Sequence, residues 1–454
     1  MSLDKRAGDS PPVRGPGDLV DWFRARERPP EEWKVGLEHE KVLLRAGTVE
    51  PVPYGGPGGV EAVLRGFVEQ GYEPVEDEGR IIAAQHAGLT VSIEPGGQIE
   101  LSGRPFQDVH VVAAELDRHR KKCEALAERL GVTFLATGYR PWGTPRSSPW
   151  MPKSRYRVMR PFLAARGRLA EDMMAMTGSG QASFDFGSEP DAGEKLRLAL
   201  AAQPAVTALY ANSPIVNGAP WGGRSFRVQV WEETDPARCG LLPFAFEEGF
   251  QDSAYRRYVE WALDVPMVFL RREGRYLETG ARTFRAFLAE GLGGERPTMA
   301  DWEDHLSCLF PDVRLKGVVE VRGADACDME MTKALAAFWK GLLYDRGARL
   351  EAWEEVRGLD LAARRQAVKD AGRQALAAPW PRGGTLGQLA GRLLAISAEG
   401  LCRQNCCGEK GEDERHWLDP LRERALSGRS PADEALEAFE RGGDRALVAK
   451  LRCA

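Results

Sequence analysis

In the stretch VGLEHEKVLL, Val35 to Leu44, Glu38 and Glu40 lie two residues apart in a run with the alternation of a β-strand. Strand side chains alternate with period two, so both carboxylates share one face. Side by side they repel, and like charges at that spacing cost stability unless something neutralises them. The pattern recurs along the chain. In TVSIEPGGQIELSG, Gln98, Glu100 and Ser102 face one way and Ile99 and Leu101 the other; Glu94 lies just ahead, and Gly96-Gly97 reads as a bulge or a close backbone approach. QASFDFGSE sets Gln181, Ser183 and Asp185 against Ala182, Phe184 and Phe186. FRVQVW sets Arg227, Gln229 and Trp231 against Phe226, Val228 and Val230, and GVVEVRGAD sets Glu320 and Arg322 against Val319 and Val321. The alternation predicts a strand at each of these places.

A solvated face of an antiparallel sheet accounts for any one of them. Such faces usually collect Lys, Thr and mixed charge, whereas these collect Glu, Gln, Asp and Arg and no Lys. Oxygen-rich donors without His or Cys clusters suit magnesium or manganese rather than zinc. Carboxylate-held dications facing arginines are the arrangement that grips a nucleoside triphosphate beside a second anion, which favours phosphoryl transfer. There is no GxxxxGK[ST] loop, no ordered HRD and DFG pair and no GxGxxG after a strand, so the familiar nucleotide folds are disfavoured. PYGGPGGV, Pro53 to Val60, reads as a turn.

The elements that position these groups come from a chain of 454 residues, enough for two or three average domains or one large enzyme fold. Its 43% hydrophobic content supports a sizeable core, and no run approaches the roughly 18 apolar residues that span a bilayer. A net charge of -5 without a Lys/Arg tract interleaved with aromatics argues against a nucleic-acid groove. Residues 1–25, rich in Pro, Gly and charge, read as a flexible tail rather than a signal peptide, and residues 26–454 as one catalytic domain. Eight scattered cysteines suit reduced thiols and a cytoplasmic enzyme, monomeric or homodimeric. Cys402, Cys406, Cys407 and His416 fit no common zinc spacing and read as a charged loop with free thiols. Helices are expected over Asp108 to Leu130, stopped by Gly131, and over Glu194 to Ala211, ended by Asn212-Ser213-Pro214; from about 346 to 454 the chain reads as mainly helical. His39 alternates to the apolar side as a core histidine, and Tyr156 and Trp231 read as packing residues.

GLEHEK, SIEPGGQIELSG, MPKSRYRVMR, SFDFGSE, ANSPIVNG, LPFAF, YVEWALDVPM, DWEDHL, FPDVRLKGVVEVRGAD and FWKGLLYD follow one another in this order. Together they closely resemble the plant-type glutamate-cysteine ligases, from about Trp33 to Asp345 and more faintly to the C-terminus. The resemblance implies an α+β fold related to glutamine synthetase: a curved, mainly antiparallel sheet forming a funnel, flanked by helices. It implies ATP-dependent joining of the glutamate γ-carboxylate to the cysteine amine through an acyl phosphate, with magnesium, the first step of glutathione synthesis; the alternative is a ligase joining glutamate to another amine. It also implies that Glu38, Glu40, Glu94, Glu100 and Glu320 hold the metal. Arg155 and Arg227 would hold glutamate, with Gln98 and Gln181 beside them, and Lys153 and Asp185 would serve ATP. Lys316 and Arg322 would neutralise phosphate charge during catalysis. Thr279 stands where plant members have the first cysteine of a redox pair, and Val268 where they tend to have an aromatic facing the amine substrate.

Overall fold

The computed structural model describes residues 10–409 and 411–453. Its main sheet has nine strands: β1 (Val35–Arg45), β2 (Glu73–Asp77), β3 (Arg80–His86), β4 (Leu89–Ile93), β5 (Ile99–Ser102), β6 (Val132–Leu135), β7 (Ser179–Phe184), β8 (Val313–Leu315) and β9 (Val319–Asp325). All pairings are antiparallel, in the order β8-β9-β7-β1-β5-β4-β3-β2, and the sheet stays open. Its centre is β1, whose 11 residues exceed a usual strand and serve three neighbours. Val35 to His39 pair with β7, Glu38 to Lys41 with β5, and Val42 to Arg45 with β6.

The apolar face of this sheet is covered by helices. They are α1 (Val109–Leu130), α4 (Glu189–Tyr210) and α6 (Met329–Tyr344); between α1 and α4 lie α2 (Ser154–Ala164) and α3 (Ala170–Met176), and α5 (Phe226–Glu232) precedes α6. Helix α1 starts where Asp108 accepts from the His110 amide and ends at Gly131, whose φ of +64° is the left-handed conformation that glycine adopts without strain. In α6, Phe338, Trp339, Leu342 and Leu343 are fully buried, each contributing about 2 kcal/mol relative to exposure. Helices α7 (Leu361–Gln374) and α8 (Leu386–Gln404) pack on α4, and the chain remains helical to Leu451, as the Ala, Leu, Glu and Arg content predicts.

Two expectations require correction. FRVQVW is not a strand but the short helix α5: a six-residue run can satisfy both periods, and here Phe226 and Val230, four apart, pack inward. The supposed tail is structured from Ser10 onward. Pro16–Arg24 is a helix that buries Leu19, Trp22 and Phe23, with Phe23 stacked on Tyr255 at 5.5 Å; residues 1–9 lie outside the described residues.

Candidate active site

The face of the sheet turned away from α4 and α6 lines a recessed cavity. β1 brings Glu38 and Glu40 to it, β5 Glu100, β7 Gln181, and β9 Glu320 and Arg322. The register explains the crowding. Glu40 lies opposite Glu100 in the β1–β5 ladder, Glu38 opposite Ser102 there and opposite Gln181 in the β1–β7 ladder. The Ser102 hydroxyl lies 2.9 Å from Glu100 Oε1 and 3.3 Å from Glu38 Oε1, tying the two acids together. Glu40 accepts a 2.7 Å hydrogen bond from the Ser179 amide.

Glu94 enters from the tight turn between β4 and β5. The amides of Glu94 and Gly97 close that turn onto the carbonyls of Gln98 and Glu94, each at 2.9 Å, with Gly97 at φ +87°. Gly96 is required by proximity: a Cβ there would stand 2.0 Å from the carbonyl oxygen of Ala175 in α3. Gln98 lines the cavity, but its carboxamide accepts from the Gly96 amide at 2.8 Å and donates to the Thr177 carbonyl at 2.8 Å, so it braces the turn.

The opposite wall is cationic. Arg155 and Tyr156 come from α2, Arg227 and Trp231 from α5, and Lys316 from the turn after β8. Buried Asp325 anchors the start of α5: it accepts from Ser213 Oγ at 2.7 Å, Ser225 Oγ at 3.0 Å and the Asn212 amide at 2.9 Å. Arg227 donates from Nη2 to the Arg322 carbonyl at 2.8 Å, its Nε has no partner, and it is 5% exposed. Neither Arg155 nor Arg227 forms an ion pair with a described residue, and neither do Glu38, Glu40, Glu94 or Glu100.

Glu320 differs. Arg314 Nε at 2.7 Å and Arg322 Nη1 at 3.0 Å both donate to its Oε2 rather than to Oε1, and Arg322 also donates to Gln181 Oε1 at 2.6 Å. Burial alone would raise the Glu320 pKa, but Arg314 and then Arg322 hold it well below the usual carboxylate range. The acids without an ion pair among the described residues move oppositely. Burial, then repulsion from Glu100 and Glu320, pushes Glu38 up to about 7, and burial, then Glu100 and Glu94, pushes Glu40 up to about 8. Glu100 is raised by burial and by Glu94, and Lys316 is lowered by burial and the neighbouring Arg314.

Two expected site residues stand elsewhere. Asp185 follows the last residue of β7, where its carboxylate accepts from the Lys34 amide at 2.8 Å and lies 3.5 Å from Arg28; it does not line this cavity. Lys153 lines a neighbouring depression with Glu78 and Arg157, its Nζ 3.5 Å from the Ile93 carbonyl, and burial lowers its pKa to about 8 against the pull of nearby Glu94. Arg314 is not among the expected site residues, although it stands two residues before Lys316 in FPDVRLKG, a spacing that would put both on one face of an extended chain. Tyr156 and Trp231 line the cavity as well as packing, and Val268 is buried in the core while Phe269 and Tyr276 reach the cavity wall. His39 is a core residue, its Nε2 2.9 Å from the Cys327 carbonyl.

An oxygen-only donor set of acids, none in an ion pair with a described residue, is suited to a hard dication. As the side chains stand, no three His, Cys, Asp or Glu groups among the described residues converge closely enough to enclose one. No helix among those residues is long and apolar enough to cross a membrane.

Comparison with known proteins gives a consistent result. The family described as Glutamate-cysteine ligase family 2 (GCS2) matches residues 34–450. The chain is 37% identical to the chloroplastic glutamate–cysteine ligase of Medicago truncatula over 426 residues, covering 93% of this chain and 81% of that one. It is 36% identical to glutamate–cysteine ligase B of Oryza sativa subsp. japonica over 434 residues, 95% of this chain and 85% of that one. Among solved structures, a glutamate–cysteine ligase of Francisella tularensis in complex with AMP superposes with a TM-score of 0.56 over 92% of this chain and 87% of that one, at 13% identity, a likeness of fold.

Proposed function

The chain belongs to glutamate-cysteine ligase family 2, and from that premise we propose the residue roles and the reaction course by which it makes γ-glutamylcysteine from glutamate, cysteine and ATP. The observation that carries this reading is one cavity in which four acids face two guanidiniums, none of the six in an ion pair with a described residue. Acids alone would repel both a triphosphate and glutamate; acids with dications among them, beside free guanidiniums, bind both.

Glu38, Glu40, Glu94 and Glu100 would hold magnesium or manganese, with Glu320 contributing through Oε1. When bound, such ions supply positive charge to the phosphate oxygens of ATP. Arg227 and Arg155 bind the carboxylates of glutamate by charge-assisted hydrogen bonds, which fixes the γ-carboxylate for attack. The γ-carboxylate oxygen attacks the terminal phosphorus, the bond to the bridging oxygen breaks, and ADP leaves. The cysteine amine then attacks the acyl carbon, the carbon–oxygen bond to phosphate breaks, and the amine proton passes to the departing phosphate. Arg322, held by Gln181 and Glu320, and Lys316 neutralise the phosphate oxygens in both steps. Lys153, one shell outside, acts through its field on Glu94 and Glu100. Asp185 supports the nucleotide only indirectly, through the end of β7.

The two plant relatives named above are chloroplastic by name, whereas all eight thiols here are free, which favours a reducing compartment such as the cytoplasm. The redox pair of plant members has no counterpart at Thr279, whose hydroxyl donates to the Met267 carbonyl at 2.6 Å. The test is phosphate release from ATP and magnesium with glutamate and a panel of amines. Cysteine should give the fastest turnover with γ-glutamylcysteine as product; faster turnover with a non-thiol amine would overturn cysteine as the substrate.

A further inference from the structure

Of the six acids that line the cavity among the described residues, five belong to the row assigned to the metal; the sixth is Asp304. It comes from the helix Met299–Ser307, which starts where the Thr298 hydroxyl accepts from the Asp301 amide and which buries Trp302, His305 and Leu306. Asp304 and Ser307, three apart on that helix, both line the cavity.

A hairpin, Phe269–Arg272 and Arg275–Glu278, brings the groups around it. Arg271 and Tyr276 are cross-strand partners, so they share one face with Phe269, and Phe269 and Tyr276 line the cavity. Arg271 reaches Asp304, its Nε 3.0 Å from Oδ2 and its Nη2 3.5 Å from Oδ1. A carboxylate has about four acceptor positions, so this pairing leaves some unused, and the Asp304 side chain keeps 14% of its surface accessible. Burial raises the Asp304 pKa against the pull of Arg271 and then of Arg155, which puts the Arg155 guanidinium near enough to act on it. This corner of the cavity therefore carries both signs: a guanidinium free of any ion pair with a described residue, and a carboxylate with acceptor capacity to spare.

We propose that Asp304 is a specificity-determining residue that accepts a hydrogen bond from the α-ammonium group of glutamate, while Arg155 takes the α-carboxylate and Arg227 the γ-carboxylate. The assignment rests on the reading of this cavity as the glutamate site and adds the group that distinguishes an amino acid from a plain dicarboxylate. The two charges of an α-amino acid sit on one carbon, so a cation and an anion side by side are what recognises them. The other five acids are matched to dications, and a substrate ammonium there would compete with the metal. Glutarate has the two carboxylates of glutamate at the same spacing and no ammonium. It satisfies both arginines and leaves Asp304 without its ligand partner, the condition under which a polar site rejects an analogue.

Glutamate and glutarate are titrated separately into the full-length protein with saturating magnesium and a non-hydrolysable ATP analogue, in the parent, in Asp304→Asn and in Arg227→Ala, and read by calorimetry. The parent should bind glutamate about tenfold more tightly than glutarate or better, the worth of one hydrogen bond between charged groups. Asp304→Asn keeps the shape of the side chain and removes its charge; it should weaken glutamate about tenfold and glutarate little, so that the ratio falls toward one. The ratio is taken within one variant, so a partly folded preparation does not produce that fall. Crystals of the parent with glutamate give a second measurement, in which an Asp304 oxygen should lie within about 3.2 Å of the α-nitrogen. A glutamate-to-glutarate ratio in Asp304→Asn equal to that of the parent, or an α-nitrogen out of hydrogen-bond reach of Asp304, overturns the proposal. If Arg227→Ala still weakens both ligands in that event, the glutamate site stands and Asp304 alone is misassigned. If Arg227→Ala weakens neither, the reading of the cavity fails and the proposal falls with it.

Discussion

Glu40 on β1 and Glu100 on β5 are direct cross-strand partners, and neither forms an ion pair with a described residue. Two carboxylates in that register destabilise the sheet that carries them, and the proposed function offsets this with a ligand of opposite charge. The sign of the consequence is fixed. Each of Glu38 and Glu40 has a folded-state pKa raised from 4.5, to about 7 and about 8. The native state therefore binds more protons than the unfolded one from about pH 4.5 to 8, and stability falls as pH rises through that window. Each raised group contributes at most about 1.4 kcal/mol per pH unit within it. Metal-free protein should melt at a lower temperature at pH 8 than at pH 6, and magnesium should restore most of the difference at pH 8. Glu100→Gln should flatten the pH slope. A metal-free melting temperature that rises over this range, with no effect of Glu100→Gln, would refute the account of these acids.

Arg227 is buried, anchored by its backbone through Ser213 to Asp325, and its Nε has no partner among the described residues. Arg227→Ala should weaken glutamate binding by about 2 to 5 kcal/mol, the range for losing a desolvated charge-assisted contact. The measurement is glutamate affinity by calorimetry, with circular dichroism to confirm folding. Unchanged affinity would remove Arg227 from the glutamate site.

Arg314 was not anticipated, yet it is the shorter of the two partners of Glu320. Arg314→Met leaves a buried carboxylate with one guanidinium, and removing one partner of a buried pair typically costs about 3 to 5 kcal/mol, less here because Arg322 remains. The double variant Arg314→Met, Glu320→Gln should recover a good part of that loss in denaturant unfolding. Losses that simply add would mean that the pair is not coupled.

How far these relationships could be read in advance depended on period. Strands β1, β5, β7 and β9 keep strict alternation over several residues, and the acid-bearing face follows from it directly. The motif order gave the fold and the enzyme class. The segment 226–231 failed because six residues of mixed Phe, Val, Arg and Gln satisfy two periods at once, and packing against α7 decided for helix. Asp185 failed for a different reason. It continues the alternation of β7 by one residue, but the strand ends at Phe184 and the next side chain turns to Lys34 and Arg28. Gln98 reached the cavity but spends its hydrogen bonds inside the turn, a role that no pattern of residue types displays.

The turn itself is a sharp target. Gly96→Ala would drive a methyl group into the Ala175 carbonyl, and the backbone must move, since neither atom belongs to a flexible side chain. A destabilisation of about 2 kcal/mol or more is expected, with a larger fall in activity than in folded fraction because Glu94 and Gln98 ride on the same turn. Gly96→Ala with parental melting temperature and turnover would show that α3 and the turn are not in close contact in solution.

The most direct measurement is anomalous diffraction from crystals grown with manganese and a non-hydrolysable ATP analogue. Density peaks for manganese should lie between the carboxylates of Glu38, Glu40, Glu94 and Glu100 on one side and the phosphate oxygens on the other, with Glu320 Oε1 turned toward one of them. Phosphates seated on arginines and lysines alone, with no manganese signal along that row of acids, would contradict the account.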